Sequence, residues 1–271
     1  MTDLQRIERE MLAEYVDICQ KSGLRYYLVC GSALGAVKYG GFIPWDDDID
    51  IAMPRGDYER FLMQAPDLLP KHLFLQNYRT DPAFPQIYSK LRHSGTACIE
   101  KNAAHLPIHH GIAMDLFPLD GYPAGRLALW RLEIGKKWYF HLLNTAFAEP
   151  EGLRCRAEYR LKRLLGCHKR TAKYAARLDA LLRAYPAEES GIWCSHGNWQ
   201  GRLDYTPREW FGTGREAQFE GLTVTLPAEA HQYLTRKYGD YRADPPKEQQ
   251  RSHHSYTLVD CDRPYTEYWE R

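Results

Sequence analysis

Residues 26–51 read YYLVCGSALGAVKYGGFIPWDDDIDI. The apolar run at 26–30 has the composition of a buried strand. Gly31-Ser32 makes a tight turn that opens a short helix through Lys38, and the pair Gly40-Gly41 closes it. Asp46, Asp47, Asp48 and Asp50 follow, interleaved with Ile49 and Ile51. Side chains of a strand alternate faces, so Asp46, Asp48 and Asp50 project one way and Asp47, Ile49 and Ile51 the other. Three carboxylates on one face repel one another unless a cation neutralises them. The usual hard cation is Mg²⁺, held by one or two carboxylates plus substrate phosphates. A solvated acidic turn is the ordinary fate of an aspartate run, but it needs no buried side, and Ile49 and Ile51 supply one. The stretch predicts a strand that carries a metal site.

Upstream, Thr2 and Gln5 have the spacing of a capping box for a helix over residues 3–21. Leu4, Ile7, Met11, Tyr15 and Ile18 give it one apolar stripe, and Ser22-Gly23 is its stop signal. Downstream, residues 57–69 read as a helix, and 73–75, 86–91, 97–99 and 111–117 as strands separated by Pro, Gly and Asp. Strands and helices that do not strictly alternate predict an α/β (α+β) fold, a mixed sheet flanked by helices. From 126 to 182 the pattern turns helical and reads as a helical insertion. Within it, residues 154–177 hold nine Lys/Arg against one acid, Glu158. A strand at 222–226 and a helix at 228–238 follow. The organisation expected is a catalytic core at 1–122, a partly basic helical elaboration at 123–190 and a C-terminal part, 191–271, that completes the site.

The 271 residues, 44% of them hydrophobic, suffice for a sizeable core. A net charge of +1 gives no global drive toward nucleic acid. Residues 1–6 lack the basic start and apolar core of a signal peptide, and no apolar run approaches the roughly 18 residues of a spanning helix. Seven cysteines, odd in number and without a C-x-x-C pair, point to free thiols and a cytoplasmic setting.

The segment Gly31-Ser32-Ala33-Leu34-Gly35-Ala36-Val37, followed by Gly41-Phe42-Ile43-Pro44-Trp45-Asp46-Asp47-Asp48-Ile49-Asp50-Ile51, resembles the signature of the LicD family. The similarity continues at Tyr88-Ser89-Lys90-Leu91-Arg92 with Thr96, at Met114-Asp115-Leu116-Phe117-Pro118-Leu119-Asp120-Gly121, and at Tyr238-Gly239-Asp240-Tyr241 with Pro245-Pro246. It is dense only over 26–121. It implies a nucleotidyltransferase-like fold and a phosphotransferase, as in bacterial phosphocholine transferases and fukutin-related proteins. The expected donor is cytidine diphosphate-linked, CDP-choline by default. The expected acceptor is a hydroxyl of a surface glycan such as lipopolysaccharide, teichoic acid or capsule, free or lipid-linked.

Phosphoryl transfer needs positioning and charge neutralisation above all. Asp48 and Asp50, two apart, can bind one Mg²⁺ (or Mn²⁺). The third ligand should come from a neighbouring strand; Asp115, a lone acid in the apolar run 112–117, suits this, and the resemblance implies an acid there too. Gly31 and Ser32 can present N–H groups and a hydroxyl to phosphate at a helix N-terminus. Lys90 and Arg92 share a strand face and can neutralise a diphosphate, or sit on an exposed face. Asp46 or Asp115 can take the acceptor's proton. Of the pairs His109-His110 and His253-His254, at most one member each can face the site, and His254 is the candidate substrate contact. Asp120-Gly121 reads as turn chemistry. Trp193, Trp199, Trp210, Tyr238 and Tyr241 are candidates for an aromatic box around a quaternary ammonium, and Cys155, Cys167, His168, Cys194 and His196 match no zinc-finger spacing.

Two rival readings use the same parts. One is a nucleotidyltransferase moving a nucleoside monophosphate from a triphosphate to a small alcohol. The other is transfer of phosphoethanolamine, aminoethylphosphonate or a polyol phosphate. A non-catalytic scaffold would not need to keep Asp48, Asp50 and Asp115. The basic run at 154–177 reads either as a solvated face or as a peripheral contact with the inner membrane surface.

Overall fold

The computed structural model describes residues 1–148, 153–196, 204–252 and 254–268; Trp199 and His253 lie outside the described residues, as does the side chain of Arg154. Helix α1 (Asp3–Ser22) begins with the capping box: the Gln5 backbone N–H donates to the Thr2 hydroxyl while the Gln5 side chain accepts from the Thr2 N–H. It ends on Gly23 at φ 60°, in the left-handed region that glycine enters without strain. Its stripe Leu4, Ile7, Met11, Tyr15 and Ile18 is buried.

The mixed sheet is built on β6 (Ala113–Gly121), whose near-continuous apolar sequence suits a central strand. On one edge β2 (Asp50–Pro54) runs parallel to it, and β1 (Tyr27–Leu28) pairs antiparallel with β2. The other edge is shared in sequence by β4 (Ser89–His93) and then β7 (Ile192–Ser195). Pairing with β4 stops at Leu116 and that with β7 starts at Leu119, so Pro118, which cannot donate to a ladder, falls between them. This is why β6 runs past the end at Phe117 that its sequence suggests. β3 (Leu73–Gln76) pairs with β4, and β8 (Tyr205–Pro207) with β7. Two antiparallel pairs lie apart from this sheet, β5 (Ala97–Glu100) with β11 (Tyr256–Asp260) and β9 (Arg215–Phe219) with β10 (Leu222–Leu226). Helix α2 (Cys30–Tyr39) joins β1 to the acidic segment, and α3 (Arg55–Leu68) follows β2.

The helical elaboration comprises α4 (Arg126–Leu143), α5 (Leu153–Leu164) and α6 (Thr171–Arg183), with a core of its own around Leu132, Leu143, Leu178 and Leu182. Short α7 (Arg208–Phe211) and α8 (Ala230–Tyr238) follow. The elaboration is joined to the sheet by ions. Arg55, at the start of α3, donates to both oxygens of Asp120 at 2.7 Å and to Asp179 of α6 at 2.9 Å. Asp120 is thus a fully buried strand residue paired bidentately, not turn chemistry, because β6 continues through it.

Candidate active site

Strand register brings the key residues together. The β2–β6 register sets Asp50 opposite Asp115, and the β4–β6 register sets Lys90 opposite Asp115. Asp50, Asp115 and Lys90 therefore stand in one row across three adjacent strands. The Lys90 ammonium lies 2.8 Å from an Asp115 oxygen and 3.6 Å from Glu100 at the end of β5. Residues 46–49 are irregular backbone, so the strand starts at Asp50 rather than at Asp46, yet the expected alternation holds. Asp46, Asp48 and Asp50 line one cavity of about 720 Å³ with Asp115, Lys90 and Glu100, while Ile49 and Ile51 are wholly buried. Asp47 turns aside to accept from the Ser252 hydroxyl at 2.7 Å, and its carboxylate lies 2.9 Å from His254 Nδ1. His254 lines the cavity, with Nε2 3.8 Å from Asp48.

Burial pushes the Asp48 carboxyl well up, and the charges of Asp50, Asp46 and Asp115 push it further. Asp50 is pushed up to about 7 by burial and then by Asp115. Asp46 is raised by burial, and it lies within hydrogen-bond reach of Asp48. Burial opposes the charge on Lys90, but Asp115, Tyr88 and Glu100 outweigh it and hold the ammonium protonated. Lys90 in turn pulls Glu100 down to about 2. The cavity floor thus holds anions whose charge is only partly answered.

Three expectations change on this geometry. Ser32 is buried inside the first turn of α2, where its hydroxyl accepts the Asp50 N–H at 2.8 Å; it pins the start of β2 and does not line the cavity. Gly31 does line it, and its missing side chain matters: a Cβ there would sit 2.5 Å from an Asp46 oxygen. Arg92 is buried and spent, its guanidinium donating to the Gln76 side chain at 2.8 Å and the Gly111 carbonyl at 2.7 Å. It lies outside the large cavity because neighbouring β3 and the loop before β6 take its donors. Trp193 and Trp210 pack into the core, so of the aromatic candidates among the described residues only Tyr238 and Tyr241 line the cavity, joined by Tyr39, Trp45 and Tyr88. His109 and His110 are buried and do not line the cavity, His109 stacked on Phe74 at 5.0 Å. Cys194 and His196 are in contact at 3.4 Å, while Cys155 is exposed on α5.

Glu8 went unread in the sequence although it carried a signal, an acid on the apolar stripe of α1. It is 2% exposed, one of its oxygens has no hydrogen-bond partner among the described residues, and it borders a water-sized cavity of about 30 Å³ shared with Asp48, Lys90 and Asp115. Next to it, the Gln5 side chain donates to the Asp46 carbonyl at 2.8 Å. Helix α1 is therefore the support behind the acids.

Among the described residues no three His, Cys, Asp or Glu side chains converge into a ready-made metal cage. The donors present, oxygen only and raised by mutual repulsion, nonetheless fit Mg²⁺, which takes one or two carboxylates and completes its shell with water and substrate phosphate. Asp48 and Asp50 are the side chains that would hold it, with the Asp115 oxygen not engaged by Lys90.

Residues 23–99 match the family described as LicD/FKTN/FKRP, nucleotidyltransferase domain. Over 244 residues the chain is 28% identical to the lipopolysaccharide cholinephosphotransferase LicD of Haemophilus influenzae, an alignment covering 88% of this chain and 89% of that one. A stretch of 48 residues, 18% of this chain, is 42% identical to the ribitol 5-phosphate transferase FKRP of Homo sapiens and of Mus musculus, covering 10% of each. Residues 23–99 contain Asp46, Asp48, Asp50 and Lys90, while Asp115 lies beyond them. Residues 23–99 thus carry the likeness to the LicD/FKTN/FKRP nucleotidyltransferase domain, and the chain is a transferase of phosphate-containing groups.

Proposed function

We propose that this enzyme transfers a phospho-substituent from a CDP-linked donor to a sugar hydroxyl of a surface glycan, with phosphocholine as the transferred group. The observation that carries the reading is the row Asp50–Asp115–Lys90 on the floor of a cavity whose upper wall is aromatic. Bound Mg²⁺ or Mn²⁺ would supply charge neutralisation for the diphosphate and the departing nucleoside monophosphate. Lys90, fixed between Asp115 and Glu100, presents a cation to the phosphates. Asp46 suits the role of proton acceptor for the attacking hydroxyl: unlike Asp115 it is not neutralised by Lys90, and burial raises its affinity for a proton. Asp47 orients His254, whose ring its hydrogen bond keeps protonated to higher pH, on the cavity wall as a candidate substrate contact. Tyr39, Trp45, Tyr238 and Tyr241, beside Asp240, give the cavity ring faces and a carboxylate for a quaternary ammonium, while Asp244 is paired with Lys38. The similarity to a lipopolysaccharide cholinephosphotransferase over most of the chain supports the same group and acceptor class.

Product analysis tests the reading. Incubation with CDP-choline, Mg²⁺ and a glycan acceptor should release CMP and label the glycan. Release of pyrophosphate from a nucleoside triphosphate, without CMP, would assign the site to nucleotidyl transfer instead. The CDP-linked donors of ethanolamine and of ribitol, run in parallel, decide the transferred group.

Lys90 provides a sharper check. Lys90→Ala should weaken donor binding by roughly 1.5–3 kcal/mol, as for a charge-assisted hydrogen bond, and leave acceptor affinity nearly unchanged. An unaltered donor KM and kcat would confine Lys90 to neutralising Asp115.

A further inference from the structure

Helix α4 buries Leu132 and Lys136 on one side and exposes large apolar side chains on the other. Leu127, Trp130, Ile134 and Trp138 are 62%, 61%, 47% and 60% exposed. Their spacing of three, four and four residues sets them on one helix face. Two largely exposed tryptophans in one stripe are unusual for a protein surface that meets only water. The stripe is bordered by cations: Arg126, Arg131 and Lys137 are all exposed. At the C-terminal end of α4, His141 contacts Glu158 of α5, which exposes Leu161 and Leu164 in turn. A tryptophan-rich apolar stripe with a basic border, on a helix lying flat on the fold, has the composition of an interfacial helix.

We propose that the exposed face of α4 docks this protein on an anionic lipid bilayer, inserting Trp130 and Trp138 at headgroup depth. Charge complementarity selects this occupant over a neutral protein groove, because the cations flank the apolar stripe where anionic headgroups would meet them. The arrangement also revises the reading of the basic run at 154–177. There Lys162 is bonded to Glu158 at 2.7 Å, so part of that charge is neutralised within α5. Among the described residues no helix is long and apolar enough to cross a membrane, so contact through α4 would be peripheral. The surface stands apart from the reaction chemistry, and binding is read without turnover.

The test uses the full chain with vesicles of phosphatidylglycerol and phosphatidylcholine, against vesicles of phosphatidylcholine alone. Sedimentation should show binding to the anionic vesicles at low ionic strength, and lipids brominated on the acyl chain should quench tryptophan fluorescence. The double variant Trp130→Ser with Trp138→Ser should lose the quenching and bind at least roughly tenfold more weakly. Its thermal midpoint and its activity on a short soluble acceptor should not change, since both side chains face solvent. Arg131→Gln with Lys137→Gln should weaken binding only at low salt. Absence of vesicle binding at low salt, or binding unaffected by the double tryptophan change, overturns the proposal. Concentration-dependent self-association that the same variant abolishes, without vesicle binding, would assign the face to a second copy of this chain.

Discussion

Asp48→Asn and Asp50→Asn should each reduce turnover on the order of 10²–10³-fold or more, the scale on which preorganised charge stabilisation acts, while leaving the fold intact. Both carboxylates sit on the cavity floor with Asp46 and Asp115, and both are raised by burial and by neighbouring carboxylates. Neutralising one removes repulsion from the metal-free protein, so stability should hold or rise as activity vanishes. The pH dependence has a definite sign. Asp50 is pushed up to about 7 in the fold, against about 3.9 in an unfolded chain. Between those values the folded state binds more protons than the unfolded state, so stability falls as pH rises through this window and levels off above it. In EDTA, the thermal midpoint of the parent should therefore drop from pH 5 toward pH 8, and that of Asp50→Asn should drop less. Mg²⁺ should raise the parent's midpoint most at the upper end. Near-normal turnover in either variant, or activity insensitive to EDTA, would remove the metal assignment.

The second large effect is structural. Arg55→Met should destabilise the protein by about 3–5 kcal/mol, the cost of stranding buried charge by deleting one partner. The guanidinium answers both oxygens of Asp120 and one of Asp179, and neither carboxylate is more than slightly exposed. Without it, two buried acids on β6 and α6 face each other with only Arg183 and Arg79 at the edge of the cluster. Chemical denaturation should show the loss. A triple change of Arg55, Asp120 and Asp179 to apolar residues of similar volume should recover much of it. A loss under about 1 kcal/mol for Arg55→Met would mean that water reaches the cluster and screens it.

Local rules carried a good part of this protein in its sequence. The capping box and stripe of α1, its glycine stop, the alternation of Asp46, Asp48 and Asp50 against Ile49 and Ile51, and the α/β class depend on periodicity and on turn chemistry a few residues long. Such features are legible because the interactions that produce them are close in sequence. Asp115 as neighbour of Asp50 was also legible, since an isolated acid in an apolar strand must find a partner. That partner is first of all Lys90, directly opposite on the adjacent strand β4, a pairing that no local sequence pattern announces.

Only the tertiary structure decided which polar residues face the cavity. Ser32 and Arg92 have the residue types of phosphate ligands, yet one is used to hold the Asp50 backbone and the other to satisfy Gln76 and a carbonyl. Glu8 and Glu100 reach the site or its rear wall from elements that the acidic motif does not announce. The physical reason is the same in each case. A buried donor or acceptor must be satisfied by whichever partner the packing brings within about 3 Å, and that partner is set by strand register and helix docking across the whole chain. Residue type and spacing determined the chemistry available to this protein; the pairing of strands determined which of those groups were left free to use it.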